Sequence, residues 1–250
     1  MNDIFLTNQG KVRQHNEDNG GIFLNSHGVR LAIVADGMGG HRAGDVASLM
    51  TVEFLQKRWE EESGPMLTPN EAETWLREEI KEINQRLFVY SEENLECQGM
   101  GTTIVAAVCT NKFSTIANIG DSRCYLYNES GFKQVTEDHS LVNELVRSGQ
   151  ISKEDAENHP RKNVLLRALG TEVNVEMDIF TIIFEEEDVL LLCSDGLSNK
   201  VSEQEMLSII TNSADLNEKA NSFITMANEY GGEDNITLAL LRFFDNSESR

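Results

Sequence analysis

Four aspartates stand where an apolar, strand-like run meets a turn. Asp36 closes Leu31–Ala35 and precedes Gly37, and Asp121 closes Ile116–Gly120. Asp195 closes Val189–Ser194 and precedes Gly196, and Asp234 opens the run Asn235–Leu241. Strands with apolar bodies belong in a core, so the carboxylates at their ends point into whatever space those ends share. Carboxylates converging there repel one another and resist ionising unless a cation neutralises them. Hard oxygen ligands select hard divalent ions such as Mg²⁺ or Mn²⁺. The acids alone therefore suggest a metal-dependent enzyme.

Other polar groups accompany them. Arg13-Gln14-His15-Asn16-Glu17-Asp18 puts a guanidinium, an imidazole and two adjacent carboxylates in one loop. The planar fork of Arg13 suits two phosphate oxygens. Glu17 and Asp18 could hold metal-bound water. Asp36-Gly37-Met38-Gly39-Gly40-His41 has three glycines within four residues, which lets backbone carbonyls approach a ligand closely. An isolated Asp-Gly is also an ordinary turn signal. The order of five such clusters along the chain makes the set specific.

The elements that must position these groups are short and β-rich. Alternating or wholly apolar runs predict strands near 3–7, 20–25, 29–35, 102–109, 113–119, 122–127, 132–136, 175–183, 188–193 and 235–243. A helix is predicted from about 43 to 61, with Val46, Met50 and Phe54 on one face. A second runs from about 70 to 95, announced by Pro69 and Asn70. Its stripe is Leu76, Ile80, Ile83, Leu87 and Tyr90. Two more helices are expected near 203–211 and 215–230. Blocks of strands and helices, rather than strict alternation, favour an α+β layered fold of antiparallel sheets. Nothing marks a linker or repeat, so one domain over 1–250 is expected. The segment 141–170 carries short helices and turns, and reads either as a flap that contacts substrate or as a long surface connection.

Composition narrows the class. The 250 residues carry 42 acidic and 21 basic side chains, for a net charge of -21. Nucleic acid and anionic membranes would be repelled. The four cysteines, Cys97, Cys109, Cys124 and Cys193, form no CxxC pair and read as reduced buried thiols. None begins a CxxxxxR phosphate loop, which argues against a cysteine-nucleophile phosphatase. The N-terminus lacks a basic segment leading into a long apolar one, and no run approaches the ~18 apolar residues that span a membrane. The expected location is the cytoplasm, and the expected state a monomer.

The segments RQHNEDN, VADGMGGHRAGDVAS, GMGTTIVAA, ANIGDSR, LLLCSDGL and EDNITL run in order from Arg13 to Leu241. In that order they resemble the PPM family of metal-dependent type-2C protein Ser/Thr phosphatases, in its compact bacterial form. The resemblance implies a four-layer αββα sandwich with two Mn²⁺ or Mg²⁺ ions in the cleft between the sheets, and a possible third. It implies that Asp36 bridges both ions and that the Gly37 carbonyl binds one. Asp195 and Asp234 would hold the other. Glu17 would act through water, with Asp18 close by. Asp121 would share a third ion with Asp195, and Arg13 would clamp the phosphate. A hydroxide between the metals would attack the phosphorus of phosphoserine or phosphothreonine. Phosphorylated proteins, including a Ser/Thr kinase and its substrates, are the implied partners. In one respect the chain departs from the pattern. Members from higher organisms often carry His, a candidate general acid, where Met38 stands. His41, His15 or metal-bound water would have to serve instead, while His139 and His159 read as structural or surface residues. A non-catalytic binding module of the same fold is the alternative, and a metal-dependent nuclease is disfavoured by the charge.

Overall fold

The computed structural model describes residues 1–39 and 43–244. One sheet is built from β1 (Asn2–Asn8), β7 (Arg123–Asn128), β8 (Gly131–Gln134), β10 (Val189–Cys193) and β11 (Ile236–Arg242), in the order β1-β11-β10-β7-β8. The other contains β2 (Asp18–Leu24), β3 (Arg30–Met38), β5 (Ile104–Cys109), β6 (Phe113–Ile119) and β9 (Asp178–Ile183), in the order β2-β3-β5-β6-β9. A short β4 (Gly101–Thr102) pairs with the end of β3. Every pairing is antiparallel.

Side-chain parity divides the interior into three stacked cores. Along β3, Leu31, Ile33 and Ala35 face a helical layer, while Ala32 and Val34 face the opposite sheet. Along β10, Leu190 and Leu192 face inward between the sheets, and Leu191 and Cys193 face outward. The first helical layer is α1 (Ala43–Glu61) and α2 (Pro69–Glu93). The second contains α6 (Glu203–Thr211) and α7 (Leu216–Glu229), with the short α5 (Asp195–Ser198) beside them. The result is a four-layer αββα sandwich of the α+β class.

Local chemistry explains the helix boundaries. Thr68 caps α2 by accepting from the Glu71 N–H, while the Glu71 carboxylate accepts from the Thr68 N–H at 2.9 Å. Pro69 follows at the first helical position, where its missing N–H costs nothing. The predicted stripe holds for Leu76, Ile80, Ile83 and Leu87, all fully buried, but Tyr90 is 37% exposed. The face expected for α1 needs correcting. Val46, Met50 and Phe54 are only partly buried, and Ala43, Ala47, Thr51, Leu55 and Trp59 form the buried line. Small residues at four-residue spacing bring α1 close to the sheet. Trp59 then seats edge-on against Trp75, with ring centroids 4.7 Å apart.

Two predicted strands are shorter than expected. The run 102–109 breaks at Thr103, and 175–183 begins only at Asp178. The segment 141–170 holds α3 (Leu141–Arg147) and α4 (Lys153–Glu157). Its base is closed by the Ser140–Leu165 bridge.

Replacing Ile80 with Ala should cost about 2–5 kcal/mol in urea unfolding, because it empties a filled core. Tyr90→Ala should stay within about 0.5 kcal/mol. Equal losses would mean that the α2 stripe is misassigned.

Candidate active site

Antiparallel pairing gathers the acids at one end of the sandwich. Asp36 shares the parity of Ala32 and Val34, so it faces the opposite sheet, and Asp18 lies directly across from it in the β2–β3 register. From the second sheet, Ser194 and Thr237 face Asp18. The Ser194 hydroxyl donates to Asp18 Oδ2 at 2.7 Å, and the Thr237 N–H donates back to Ser194 Oγ at 3.0 Å. One buried carboxylate is thereby held by both sheets.

Asp36 lies within β3 rather than at its end, because Gly37 and Met38 continue the strand against β4. Its backbone is fixed beyond the β5 ladder. The Asp36 N–H donates to Thr103 Oγ1 at 3.0 Å, and its carbonyl accepts from the Thr103 N–H and the Thr102 hydroxyl, each at 2.9 Å. Thr103 Oγ1 also meets Ser122 Oγ at 2.7 Å, which ties the Asp121 turn to Asp36. The two Asp-Gly pairs owe their glycines to close backbone approach. A Cβ on Gly37 would strike the Gly44 carbonyl, and one on Gly196 would strike the carbonyl of Asn235.

Burial dominates the electrostatics. It pushes Asp18 up to about 7 against the opposing hydrogen bond from Ser194, and Asp121 up to about 7 with help from Asp195. Asp36 is driven well above the usual carboxylate range, first by burial and then by Asp18, Asp195, Asp121 and Asp234. Asp195 is raised by burial and by Asp234, and a hydrogen bond with Asp36 partly offsets this. Glu17 is raised by burial against the pull of Arg13. Arg13 Nη2 donates to Asp234 Oδ2 at 2.8 Å, and its Nη1 stands 3.9 Å from Glu17.

The predicted site residues Glu17, Asp18, Asp36, Asp121, Asp195, Asp234 and Arg13 therefore share one electrostatic neighbourhood. Among the described residues, no three His, Cys, Asp or Glu side chains form a ready cluster around a single point. Magnesium-like ions commonly take only one or two carboxylates and fill the rest of their shell with water, so the donor set remains suitable. The acids offer only hard oxygen donors, and their mutual repulsion calls for positive charge.

Of the histidines, His15 is exposed and His41 lies outside the described residues. Buried His139 accepts at Nδ1 from the Gly120 N–H at 3.1 Å and faces Asp178 with Nε2 at 3.3 Å, a structural post beneath the Asp121 turn. Met38 leans its methyl group against Gly101. All four cysteines are free and buried. Sequence reasoning missed Ser194, Thr237, Thr103 and Asn235. It also missed the half-buried pair of Arg123 with Asp138, Nη2 to Oδ2 at 2.7 Å. Polar residues inside apolar strands were the available signal. No helix among the described residues is long and apolar enough to cross a membrane.

The family described as protein phosphatase 2C matches residues 8–230. The chain is 56% identical over 241 residues to serine/threonine phosphatase stp of Listeria welshimeri, covering 96% of this chain and 95% of that one. Serine/threonine phosphatase Stp1 from Staphylococcus aureus superposes with a TM-score of 0.92 at 40% identity, over 96% of this chain and 94% of that one. The catalytic domain of PstP in complex with 2 manganese ions superposes with a TM-score of 0.85 at 32% identity, over 98% of each chain. The chain belongs to the protein phosphatase 2C family. It is a metal-dependent serine/threonine phosphatase of the bacterial type.

Metal-free protein should lose stability as pH rises. The unfolded Asp18 releases its proton near 3.8, whereas the folded one keeps it until about 7. Stability from this group is full below the lower value, falls between the two, and is level beyond. Urea unfolding in EDTA should show this decline for wild type and a flatter profile for Asp18→Asn. Parallel profiles would contradict the assignment.

Proposed function

We propose that the chain hydrolyses phosphoserine and phosphothreonine in proteins at a binuclear Mn²⁺ or Mg²⁺ centre, and that it opposes a Ser/Thr kinase. The observation that carries this reading is the Asp18–Asp36 register pair at the end of one sheet, with buried Asp18 held by Ser194 from the opposite sheet. Such acids are worth retaining where cations bind, since repulsion otherwise weakens the fold.

Asp36 would hold both ions and the Gly37 carbonyl one of them. Asp195 and Asp234 would hold the second. Glu17 would act through water, with Asp18 held beside it by Ser194. Asp121 would contribute with Asp195 to a third position. When bound, the cations neutralise the phosphomonoester dianion and lower the pKa of bound water toward neutrality. The protein does the rest. Arg13 is 47% exposed at the side chain, so its fork is open to solvent and can take two equatorial phosphate oxygens. It would also stabilise the charge that grows in the transition state. The residues 1–250 would serve as one phosphatase domain acting as a monomer, with 141–170 as a flap at its rim.

The test is phosphate release from a phosphothreonine peptide with Mn²⁺ and with EDTA, for wild type and Asp195→Asn. Activity is expected only in wild type with Mn²⁺. Asp195→Asn should retain less than about a tenth of that rate at saturating metal while staying folded. Inactive wild type under every metal would favour the binding-module reading. Arg13→Ala should raise KM more than it lowers kcat, because ground-state phosphate binding is lost as well. An unchanged KM would remove Arg13 from the clamp.

A further inference from the structure

The loop between β1 and β2 carries Arg13 and Glu17, has no regular secondary structure, and is exposed from Lys11 to His15. Such a loop would ordinarily move freely. This one is tied along its length to a single turn at the other end of the chain. Asn235 Nδ2 donates to the carbonyls of Gln9 at 2.9 Å and His15 at 3.0 Å, and Asn235 Oδ1 accepts from the Glu17 N–H at 2.8 Å. The N–H groups of Lys11 and Val12 donate to the Gly232 carbonyl at 2.7 and 3.3 Å. Gly10 passes so close that a Cβ there would collide with the Asp234 carbonyl.

Asn235 is 3% exposed, and its amide is fully used. Two N–H groups face two carbonyls and the oxygen faces an N–H, so the orientation of the amide is set by its partners. An aspartate here would oppose two carbonyls with a carboxylate, and an aliphatic side chain would leave three backbone groups without this partner. The three bonds bracket Arg13 on both sides in sequence. Within the loop, Gln9 Nε2 also donates to the Arg13 carbonyl at 2.8 Å.

We infer that Asn235 is a positioning residue for phosphate: its amide fixes the loop that carries Arg13 and Glu17, so the guanidinium is held over Asp234 before substrate arrives. This rests on the phosphatase reading above. Ordering a loop in advance lowers the entropy lost on binding and strengthens contacts that depend on alignment. Asn235 does this through Arg13 without touching substrate.

The test is a double-mutant cycle of Asn235→Ala with Arg13→Ala, read by inhibition with inorganic phosphate, by KM and kcat on a phosphothreonine peptide, and by Mn²⁺ titration calorimetry. Asn235→Ala should weaken phosphate inhibition and raise KM by roughly ten- to a hundredfold, the range for residues that orient a binding group. Mn²⁺ affinity should move less. In the Arg13→Ala background, Asn235→Ala should change phosphate inhibition by less than about twofold, because its effect is routed through Arg13. Additive losses, or unchanged phosphate inhibition in the single variant, would overturn the inference. If Asn235→Ala does not fold, Asn235→Ser replaces it in the cycle with the same expected coupling. Hydrogen exchange provides a readout independent of catalysis: the amides of Lys11 and Glu17 should exchange slowly in wild type, and that of Glu17 faster in Asn235→Ala. Inactive wild type with slow exchange at Glu17 would sink the phosphatase reading alone. Active wild type with unchanged exchange in the variant would sink the clamp alone.

Discussion

The rest of the structure depends on the cost of holding several carboxylates in a partly desolvated space between two sheets. Asp18, Asp36, Asp121 and Asp195 are pushed up first by desolvation and then by one another. No arrangement of neutral neighbours removes that penalty. Hydroxyls and amides can only reduce it, as Ser194 does for Asp18. The fold therefore carries a stored destabilisation at one end, and three stacked hydrophobic cores elsewhere hold the sandwich together. Cations would convert the penalty into binding energy, which is why stability and metal dependence belong to one argument.

The two sheets divide the work. The β2–β3 sheet brings Asp18 and Asp36 face to face in register, and its backbone is stiffened by Thr102 and Thr103. The β10–β11 sheet supplies Asp195 and Asp234, whose separation is set by the close approach of Gly196 to the Asn235 carbonyl. Because side-chain parity fixes which face an acid occupies, a slip of one residue in β3 would turn Asp36 toward the helices and Ala35 toward the cleft. The wholly buried ladder from Leu31 to Ala35 makes such a slip expensive.

Much of this was legible in the sequence, for specific reasons. Residue type alone marked the acids, and their order along the chain marked the family. The stripe of Leu76, Ile80, Ile83 and Leu87 marked α2 because large aliphatics dominate one face. The face of α1 was misread because Ala47 and Thr51 bury fully yet score poorly beside Met50 and Phe54. The parity of β3 was hidden, since a strand covered on both sides is apolar on both. Ser194, Thr237 and Asn235 stood out only as polar residues beside or inside apolar runs, which does not tell what they hold. Their importance comes from partners far away in sequence, as when Asn235 meets the Gln9–Glu17 loop. Such pairings belong to topology and cannot be read from local pattern.

Net charge needs a finer reading than the sequence alone allowed. At -21 the chain repels extended polyanions, yet a phosphopeptide is also anionic at its reacting group. The distinction is one of length. A nucleic acid presents charge every few ångströms over a long track, so the whole acidic surface acts on it. A phosphomonoester presents its charge at one point, and beyond roughly 8 Å at physiological salt the remaining surface is largely screened. What governs it is the local field at the cleft mouth, where the Arg13 guanidinium meets Asp234. An acidic protein can thus exclude nucleic acid and still accept a phosphate, provided a well-placed cation is held firmly where the phosphate must arrive.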